Sequence, residues 1–317
     1  MAYAIKNVCF GKVLYMTKYA IHANLSLMKI KDESVPATFV RVLFSPYLRQ
    51  TGLRCIASII NNFFIKQYKA AFFAGSVPVS SVDHPLDEKI PFYPGKVKIY
   101  LDFVAFWVRT IGFLLKNCKR RAYKCVKEFI RSMGELYAFA ATVYGRNFST
   151  TNRPFYIKNP RFLLIHMVDP HLMCVPSLHA MVVILTYTSF RKMIKELGEE
   201  DRFKEQLDEL YQGAIAITEA ILYVKQHSVN CVPAALYAMT CFNPELFPIE
   251  EGVSFTYNLF NSVKKPEKEE VKNIHEHIIS HYNRFLSEKE AGEKDFDWKT
   301  PLLNFLKDYN TRLLPVK

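Results

Sequence analysis

The sequence contains little glycine and no cysteine pair of the C-x-x-C type. Only 11 of its 317 residues are glycine, and its 7 cysteines are scattered singly along the chain. Glycine-rich phosphate loops and cysteine-based zinc sites are therefore disfavoured, because both need those residues at fixed spacings. The odd cysteine count gives no pattern of a disulfide framework, which favours a reducing compartment.

Long uninterrupted apolar runs are also missing. The nearest approaches to a stretch of about 20 apolar residues, at 100–115, 162–190 and 210–224, all contain charged residues. The N-terminus has no charged start followed by an apolar core, so we predict no signal peptide. We expect a globular protein that is cytoplasmic or membrane-associated, the latter through peripheral or shallow attachment.

The chain is rich in apolar and basic residues. Half of its residues are apolar, 14% are aromatic, and the formal net charge is +12. Such a chain can bury a substantial core. The charge is compatible with nucleic acid, an anionic membrane surface or a small anionic substrate as partner. No nucleic-acid-binding motif accompanies it, so we expect no nucleic acid partner.

Helical periodicity dominates the chain and predicts an all-α fold. Residues 76–96, with four prolines, are predicted to be a loop, and 146–160 an irregular connection. We predict a helical domain at 1–262 and a charged helical C-terminal extension at 263–317. Residues 36–75 contain a helical pattern, and further helices are expected at about 97–116, 120–143, 177–197, 229–242, 266–288 and 300–313. The segment 161–171 is short and apolar. The charged stretch 199–208 either turns or opens another helix, which runs to about 225. Within 36–75, Leu53, Ile56, Ile60, Phe63 and Phe64 fall on one face.

The stretch Met173–Phe190 organises the functional interpretation. Ser177 is a good N-cap, and the apolar run after it predicts a buried helix. His179 would then lie in the first turn, where unpaired backbone N–H groups and the positive end of the helix dipole favour an anion.

Two further segments carry residues suited to phosphate chemistry. Arg146 and Arg153 are separated by six residues, and Pro154 follows directly. His227 follows Lys225 and Gln226. Arginine binds phosphate oxygens with its planar fork, and histidine exchanges protons near neutral pH. We predict that these segments and His179 form one phosphate-handling site.

In this order, the three segments resemble the phosphatidic acid phosphatase / vanadium haloperoxidase superfamily. The first motif, usually K-x6-R-P, is Arg146-x6-Arg153-Pro154, and the second is intact as Pro176-Ser177-Leu178-His179. The third, usually S-R-x5-H-x3-D, resembles 222–227, with Ile221 at the arginine position and Lys225 as the substitute charge. The resemblance covers about 140–242 and implies a helical bundle of that superfamily's type.

The resemblance also implies a role for each residue. His227 would attack phosphorus and form a phosphohistidine, and His179 would protonate the leaving group. The phosphoryl oxygens would be held by Arg146, Arg153, Ser177 and Lys225. No metal or cofactor would be needed. The substrate would be a phosphorylated lipid, presented at a membrane surface, or another organic phosphate.

One position departs from the superfamily pattern. Cys231 stands where the aspartate that holds the nucleophilic histidine is expected, and a thiol is a weak acceptor. Asn230 could orient the ring through its amide oxygen but adds no charge. The alternative hypothesis is therefore a weakened or inactive relative that binds phosphate headgroups at a membrane surface. A third reading is a membrane-surface or structural protein whose motifs arose by chance.

Several other polar residues receive structural interpretations. His166 and His171 lie near the motifs in sequence but are expected to be structural. His277 and His281 form an i, i+4 pair with no evident third metal ligand, so they are interpreted as part of a solvated helix face. Cys231 is expected to be a small buried residue rather than a reactive thiol.

Overall fold

A computed structural model of the protein describes residues 29–72, 77–261, 266–292, 297–309 and 311–313. For residues 311–313 it describes the backbone alone. The prediction about a signal peptide concerns residues outside this range. The proposed boundary at 262–263 also lies outside it.

The prediction of a mainly α-helical protein is confirmed, with 71% of residues in helix and 3% in strand. Among the described residues, no helix is both long and apolar enough to cross a membrane. The helices are α1 (Val35–Phe44), α2 (Arg49–Ile59), α3 (Lys66–Phe72), α4 (Leu86–Lys89), α5 (Val97–Tyr100), α6 (Phe103–Asn117), α7 (Tyr123–Tyr144), α8 (Pro160–Val168), α9 (Leu178–Leu197), α10 (Lys204–Tyr223), α11 (Cys231–Phe242), α12 (Ile249–Asn258), α13 (Lys268–Glu290) and α14 (Thr300–Lys307). A π-helix at Ile60–Ile65 joins α2 to α3, and 3-10 turns occur at Ile30–Asp32, Pro94–Lys96 and Lys119–Ala122.

Helix α9 runs through the centre of the core. The Ser177 side chain caps it by accepting from the Ala180 N–H at 3.5 Å, and Gly198 ends it with φ +65°. Glycine suits this left-handed position because it has no Cβ. Every residue from Leu178 to Phe190 is buried, and α7, α10 and α11 pack around the helix. This all-round burial explains why the apolar run shows no polar face.

A small sheet, which the helical interpretation missed, lies beside this core. Strand β1 (Pro78–Ser81) pairs in parallel with β2 (Phe148–Thr150) and antiparallel with β3 (Thr311–Leu313). The loop predicted at 76–96 therefore contains a strand and the short helix α4. Strands of three or four residues are too short to show a clear alternating pattern.

Strand β2 also holds the segment that leads into α9. The Ser149 N–H donates to the Leu172 carbonyl at 3.0 Å, and the Ser149 hydroxyl accepts from the Val175 N–H at 2.7 Å. These bonds fix the approach of 172–177 to the head of α9.

The C-terminal helix α13 packs against α11, α12 and α14 through a buried face that includes Ile274, Ile278, Tyr282 and Phe285. The interpretation of His277 and His281 as a solvated face is corrected here. The His277 ring lies 4.1 Å from that of His84 and 4.5 Å from that of His281, and both helical histidines are partly buried. The loop between β1 and α4 covers this part of the helix.

Candidate functional site

Two histidines from distant segments meet at the head of α9. The Nε2 atom of His227 lies 3.3 Å from Nδ1 of His179, and the ring planes are inclined by 69°. His179 is in the first turn of α9, as the N-cap predicted. The two residues are 48 positions apart, so their contact is a product of the tertiary structure.

Both members of this pair are held in the neutral state. His179 stacks on Tyr100 with ring centroids 4.5 Å apart and contacts Phe103 at 4.1 Å. Burial lowers the pKa of His179 well below its usual value, and the charge of His227 lowers it further. Burial, followed by the charge of His171, lowers the pKa of His227 to about 3. At neutral pH both rings therefore carry an unprotonated nitrogen.

The loop that carries His227 is held by helix α4. Asp87 accepts a hydrogen bond from the Val229 N–H at 2.8 Å. The Lys225 Nζ donates to the carbonyl oxygens of Asp87 and Ile90. Lys225 has a φ of +55°, a backbone conformation that turns the chain sharply before the histidine. Together these contacts make Asp87 and Lys225 positioning residues for the loop.

Lys225 therefore points toward α4, although the sequence predicted a contact with phosphoryl oxygens. It borders an open groove of about 620 Å³ that is also lined by Asp83, Asp87 and Glu88. Three carboxylates make this groove unfavourable for an anionic ligand.

Arg153 lies beside the His227 loop. Its Nη1 donates to Gln226 Oε1 at 3.2 Å, and its Nη2 donates to the Asp169 carbonyl at 2.9 Å. Its Nη1 is also 3.8 Å from the Asp169 carboxylate. Arg153 is thus the predicted cation that the structure brings next to the segment carrying His227.

Arg146 occupies a different environment. It is exposed just after the end of α7, and its charge acts on Asp297 near the start of α14. Within the described part of the chain, no hydrogen bond or ion pair joins Arg146 to His179 or His227. Arg146 and Arg153, the two cations of the predicted first motif, therefore have different neighbours.

Ser177 is fully buried, and its hydroxyl caps α9, as predicted for an N-cap. The Tyr144 hydroxyl donates to the carbonyl of Pro176 at 2.5 Å. These two contacts hold the turn before His179 in place.

The sequence interpretation missed an ionic cluster next to the pair. His171, for which the sequence predicts a structural role, has its Nδ1 3.9 Å from the Asp169 carboxylate and its Nε2 2.8 Å from the Thr151 hydroxyl. The Sγ of Cys174 is 3.7 Å from the same Nε2. The only signal in the sequence is three polar residues, Asp169, His171 and Cys174, within a short apolar stretch.

This cluster carries charge where the histidine pair does not. Burial alone would lower the pKa of His171, but Cys174 and Asp169 raise it to about 9. Burial alone would raise the pKa of Cys174, but Cys231 and His171 lower it to about 6. At neutral pH the cluster therefore holds an imidazolium at position 171 close to His227, and the Cys174 thiolate and the Asp169 carboxylate offset its charge.

Among the described residues, no carboxylate is hydrogen-bonded to His227, although the resemblance implies one. Its buried Nδ1 atom has no hydrogen-bond partner among them, and the nearby backbone of Cys174 raises the pKa of the ring. Cys231 is fully buried, as expected, and its thiol interacts with that of Cys174.

The Asn230 amide is engaged elsewhere. Its oxygen accepts from His277 Nε2 at 2.8 Å, and its nitrogen donates to the Val82 carbonyl and the Tyr309 hydroxyl. Asn230 therefore connects the His227 loop to α13 and β1.

Among the described residues, no group of three or more His, Cys, Asp or Glu side chains is arranged to hold a metal ion. Comparisons with protein-family models, curated proteins and solved structures gave no match.

Proposed function

We propose that this protein is a histidine-dependent phosphatase or phosphotransferase acting on a lipid or other organic phosphate through a phosphohistidine. The observation that carries the proposal is the 3.3 Å contact between His227 Nε2 and His179 Nδ1 at the head of α9. The motif order supports it, since it resembles that of the phosphatidic acid phosphatase / vanadium haloperoxidase superfamily.

In the proposed reaction, neutral His227 attacks phosphorus with Nε2 as the bond from phosphorus to the leaving oxygen breaks. A protonated His179 gives its proton to that oxygen. Water or an acceptor alcohol then takes the phosphoryl group from His227 and gives its proton to His179, which restores both histidines. The low pKa of His227 keeps it unprotonated for the first step. A bound phosphate dianion would raise the pKa of His179 and supply the acid form.

The anion would be held by groups around the pair. Arg153 reaches the His227 loop through Gln226, and the imidazolium of His171 lies close to His227, with its charge offset by Asp169 and Cys174. The backbone N–H groups of Leu178 and His179 lie in the first turn of α9, where helices favour anions. Because the two histidine nitrogens are in near contact, the phosphoryl group would lie beside the pair and separate the rings.

Phosphate release measured in EDTA tests the proposal. The substrates are phosphatidic acid in mixed micelles and a soluble aryl phosphate, each with wild-type protein and His227→Ala. We expect metal-independent turnover that falls roughly 100-fold or more in the variant. Folded wild-type protein with no turnover on either substrate would reject the hydrolase.

A second candidate function is phosphate binding without turnover. It is favoured by the unpartnered Nδ1 of His227 and by Cys231 in place of the aspartate. Cys231→Asp, with Cys231→Asn as a control of similar size and no charge, separates the two functions. A rate that rises only with Asp indicates an enzyme weakened by loss of the carboxylate. Phosphate binding by calorimetry without turnover in any of the three proteins indicates the binding function.

A further inference from the structure

Exposed apolar side chains are concentrated in two parts of the molecule. Of the large apolar residues that are exposed among the described residues, eight lie at 40–72, six at 155–168 and four elsewhere. Isolated exposed apolar residues are ordinary, but a contiguous group marks an interaction surface. We define the apolar rim as Phe72, Phe155, Ile157, Leu163, Leu164, Met167 and Val168.

Helix α8 is apolar on both faces. Phe162 and Ile165 are buried, and Phe162 packs against Phe92 and Tyr156. The opposite face exposes Leu163, Leu164, Met167 and Val168, and Met167 is 73% exposed. Core packing accounts for the first face only. The second leaves a large apolar area in water, which costs free energy unless something covers it.

The rim extends from α8 to the end of α3. The Tyr68 hydroxyl donates to the Val168 carbonyl, and the Tyr68 ring stacks on Phe72 with centroids 6.1 Å apart. Phe155 lies over α8, with its ring 5.5 Å from that of His166. These contacts make the rim one continuous surface.

The charged residues in the segments that carry the rim have one sign. The sequence contains no aspartate or glutamate from residue 34 to 82 or from 136 to 168. The same stretches contain five and four basic residues respectively: Arg41, Arg49, Arg54, Lys66 and Lys69, and Arg146, Arg153, Lys158 and Arg161. Lys69, Lys158 and Arg161 are exposed beside the rim.

We propose that the apolar rim is the surface through which this protein docks on an anionic lipid bilayer. Large apolar and aromatic side chains flanked by basic residues match the boundary between acyl chains and anionic headgroups. A protein partner would generally be matched by both signs of charge at the edge of its interface, and the segments that carry the rim offer only one.

The position of the rim connects it to the candidate site. Phe155 follows Arg153 by two residues, and Val168 directly precedes Asp169. Docking would therefore place the headgroup layer next to Arg153 and the histidine pair. This last step rests on the proposed function, whereas docking itself does not.

Co-sedimentation with vesicles tests the docking surface. Phosphatidylcholine vesicles with and without about a third phosphatidylglycerol are compared for wild type and Leu164→Glu/Met167→Glu. The matched control is Ile249→Glu/Tyr257→Glu, which removes two exposed apolar residues of α12 with the same charge change. We expect wild type and control to bind anionic vesicles alike, and the rim variant to bind at least about tenfold more weakly. Equal binding by all three proteins overturns the proposal.

The charge component is tested by Lys158→Gln/Arg161→Gln. This variant is expected to bind anionic vesicles several-fold more weakly and to lose part of the salt dependence of binding. Binding by wild type that is indifferent to lipid charge contradicts this component.

Insertion is measured with Met167→Trp, using Tyr257→Trp as the control. Brominated lipids should quench the added fluorescence of the first variant and leave that of the second unchanged. Quenching of neither variant contradicts insertion of the rim.

Activity on the soluble aryl phosphate separates this proposal from the proposed function. Rim variants that keep this activity but lose vesicle binding support docking. Vesicle binding through the rim by a protein without any phosphatase activity leaves docking standing and rejects the enzyme. If wild-type protein binds no vesicles but self-associates through the rim, the occupant of the rim is a second copy of the chain. That result overturns lipid docking.

Discussion

Two groups of histidines are in ring contact in the described part of the chain, and they differ in what surrounds them. His179 and His227 meet at the head of α9, while His84, His277 and His281 meet between the β1–α4 loop and α13. Burial lowers the pKa of every one of these histidines. Contact and low pKa therefore do not by themselves mark a functional site.

The surroundings separate the two groups. The pair lies at a helix N-terminus, beside Arg153 and the imidazolium of His171. The second group, called the trio, consists of His84, His277 and His281. It faces Asp87 from α4, and Asp308 and Arg284 from the C-terminal region. His277 of the trio is hydrogen-bonded to the side-chain amide of Asn230, which belongs to the loop after His227. Under the proposed function, the pair binds the anion and the trio has a structural role.

The largest contrast is expected in turnover. His179→Gln removes the proposed acid and should lower the rate of phosphate release by about 100- to 10,000-fold. His281→Gln, in the trio, should leave the rate within about threefold. The rates of both variants are measured on the soluble aryl phosphate, with circular dichroism as the folding control. Similar losses in the two variants would remove the distinction between the groups.

Substitution of the two cations near His227, Arg153 and Lys225, should affect different properties: substrate binding for Arg153 and folding stability for Lys225. Arg153→Gln is expected to raise KM about 10- to 100-fold, the cost of losing a charge-assisted contact to phosphate. Lys225→Gln removes the bonds to the Asp87 and Ile90 carbonyls, so it should lower Tm more than Arg153→Gln does. Steady-state kinetics and thermal unfolding of both variants provide the test. A larger rise in KM for Lys225→Gln would place the phosphate on the other side of the loop.

The trio should contribute to the loss of folding stability at acid pH. The pKa of His277 falls from 6.5 to about 3 through burial and the charges of His84 and His281. Because its folded pKa is below the unfolded value, its contribution to stability is present above pH 6.5 and is lost as pH falls toward 3.

His277→Gln should therefore flatten the dependence of the free energy of unfolding on pH between 6.5 and 4. The slope should decrease by at most about 1.4 kcal/mol per pH unit, the value for one proton. Urea unfolding at several pH values measures this slope. An unchanged slope would mean that His277 binds its proton equally in both states.

The smallest expected effect is a change in one protonation state. At pH 7.5, His171, with a pKa of about 9, should be an imidazolium, and His227, with a pKa of about 3, should be neutral. Cys174→Ser removes a thiolate partner and should lower the pKa of His171. Imidazole nitrogen chemical shifts in labelled protein report both states. A neutral His171 in wild type would remove the positive charge proposed beside His227.

The sequence predicted the helices and the N-cap because those features are local. Ser177 and the amide it caps are three residues apart, so the first-turn position of His179 could be derived directly. The apolar face containing Leu53, Ile60 and Phe64 was also recognised as helical. Its exposure was not foreseen, because periodicity gives the direction of a face and not what lies opposite.

The direction of long side chains was decided only by the tertiary structure. Lys225 was predicted to contact phosphate, yet its ammonium group bonds carbonyls more than 130 residues away in sequence. Nothing in the sequence indicated that Cys174 and Asp169 make His171 a buried cation, and its predicted structural role stays a prediction. Both outcomes depend on desolvation and neighbouring charge, which no spacing in the sequence specifies.

The sequence by itself determined the all-α class, the buried helix after Ser177 and the residue types available for phosphate chemistry. The tertiary structure decided that His179 and His227 meet, that Arg153 bonds Gln226 next to His227 and that Arg146 lies elsewhere. The physical reason is the distance along the chain over which each interaction acts. Helix capping and periodicity act within a few residues, whereas the charge state and contacts of a buried side chain depend on whichever segments the fold packs around it.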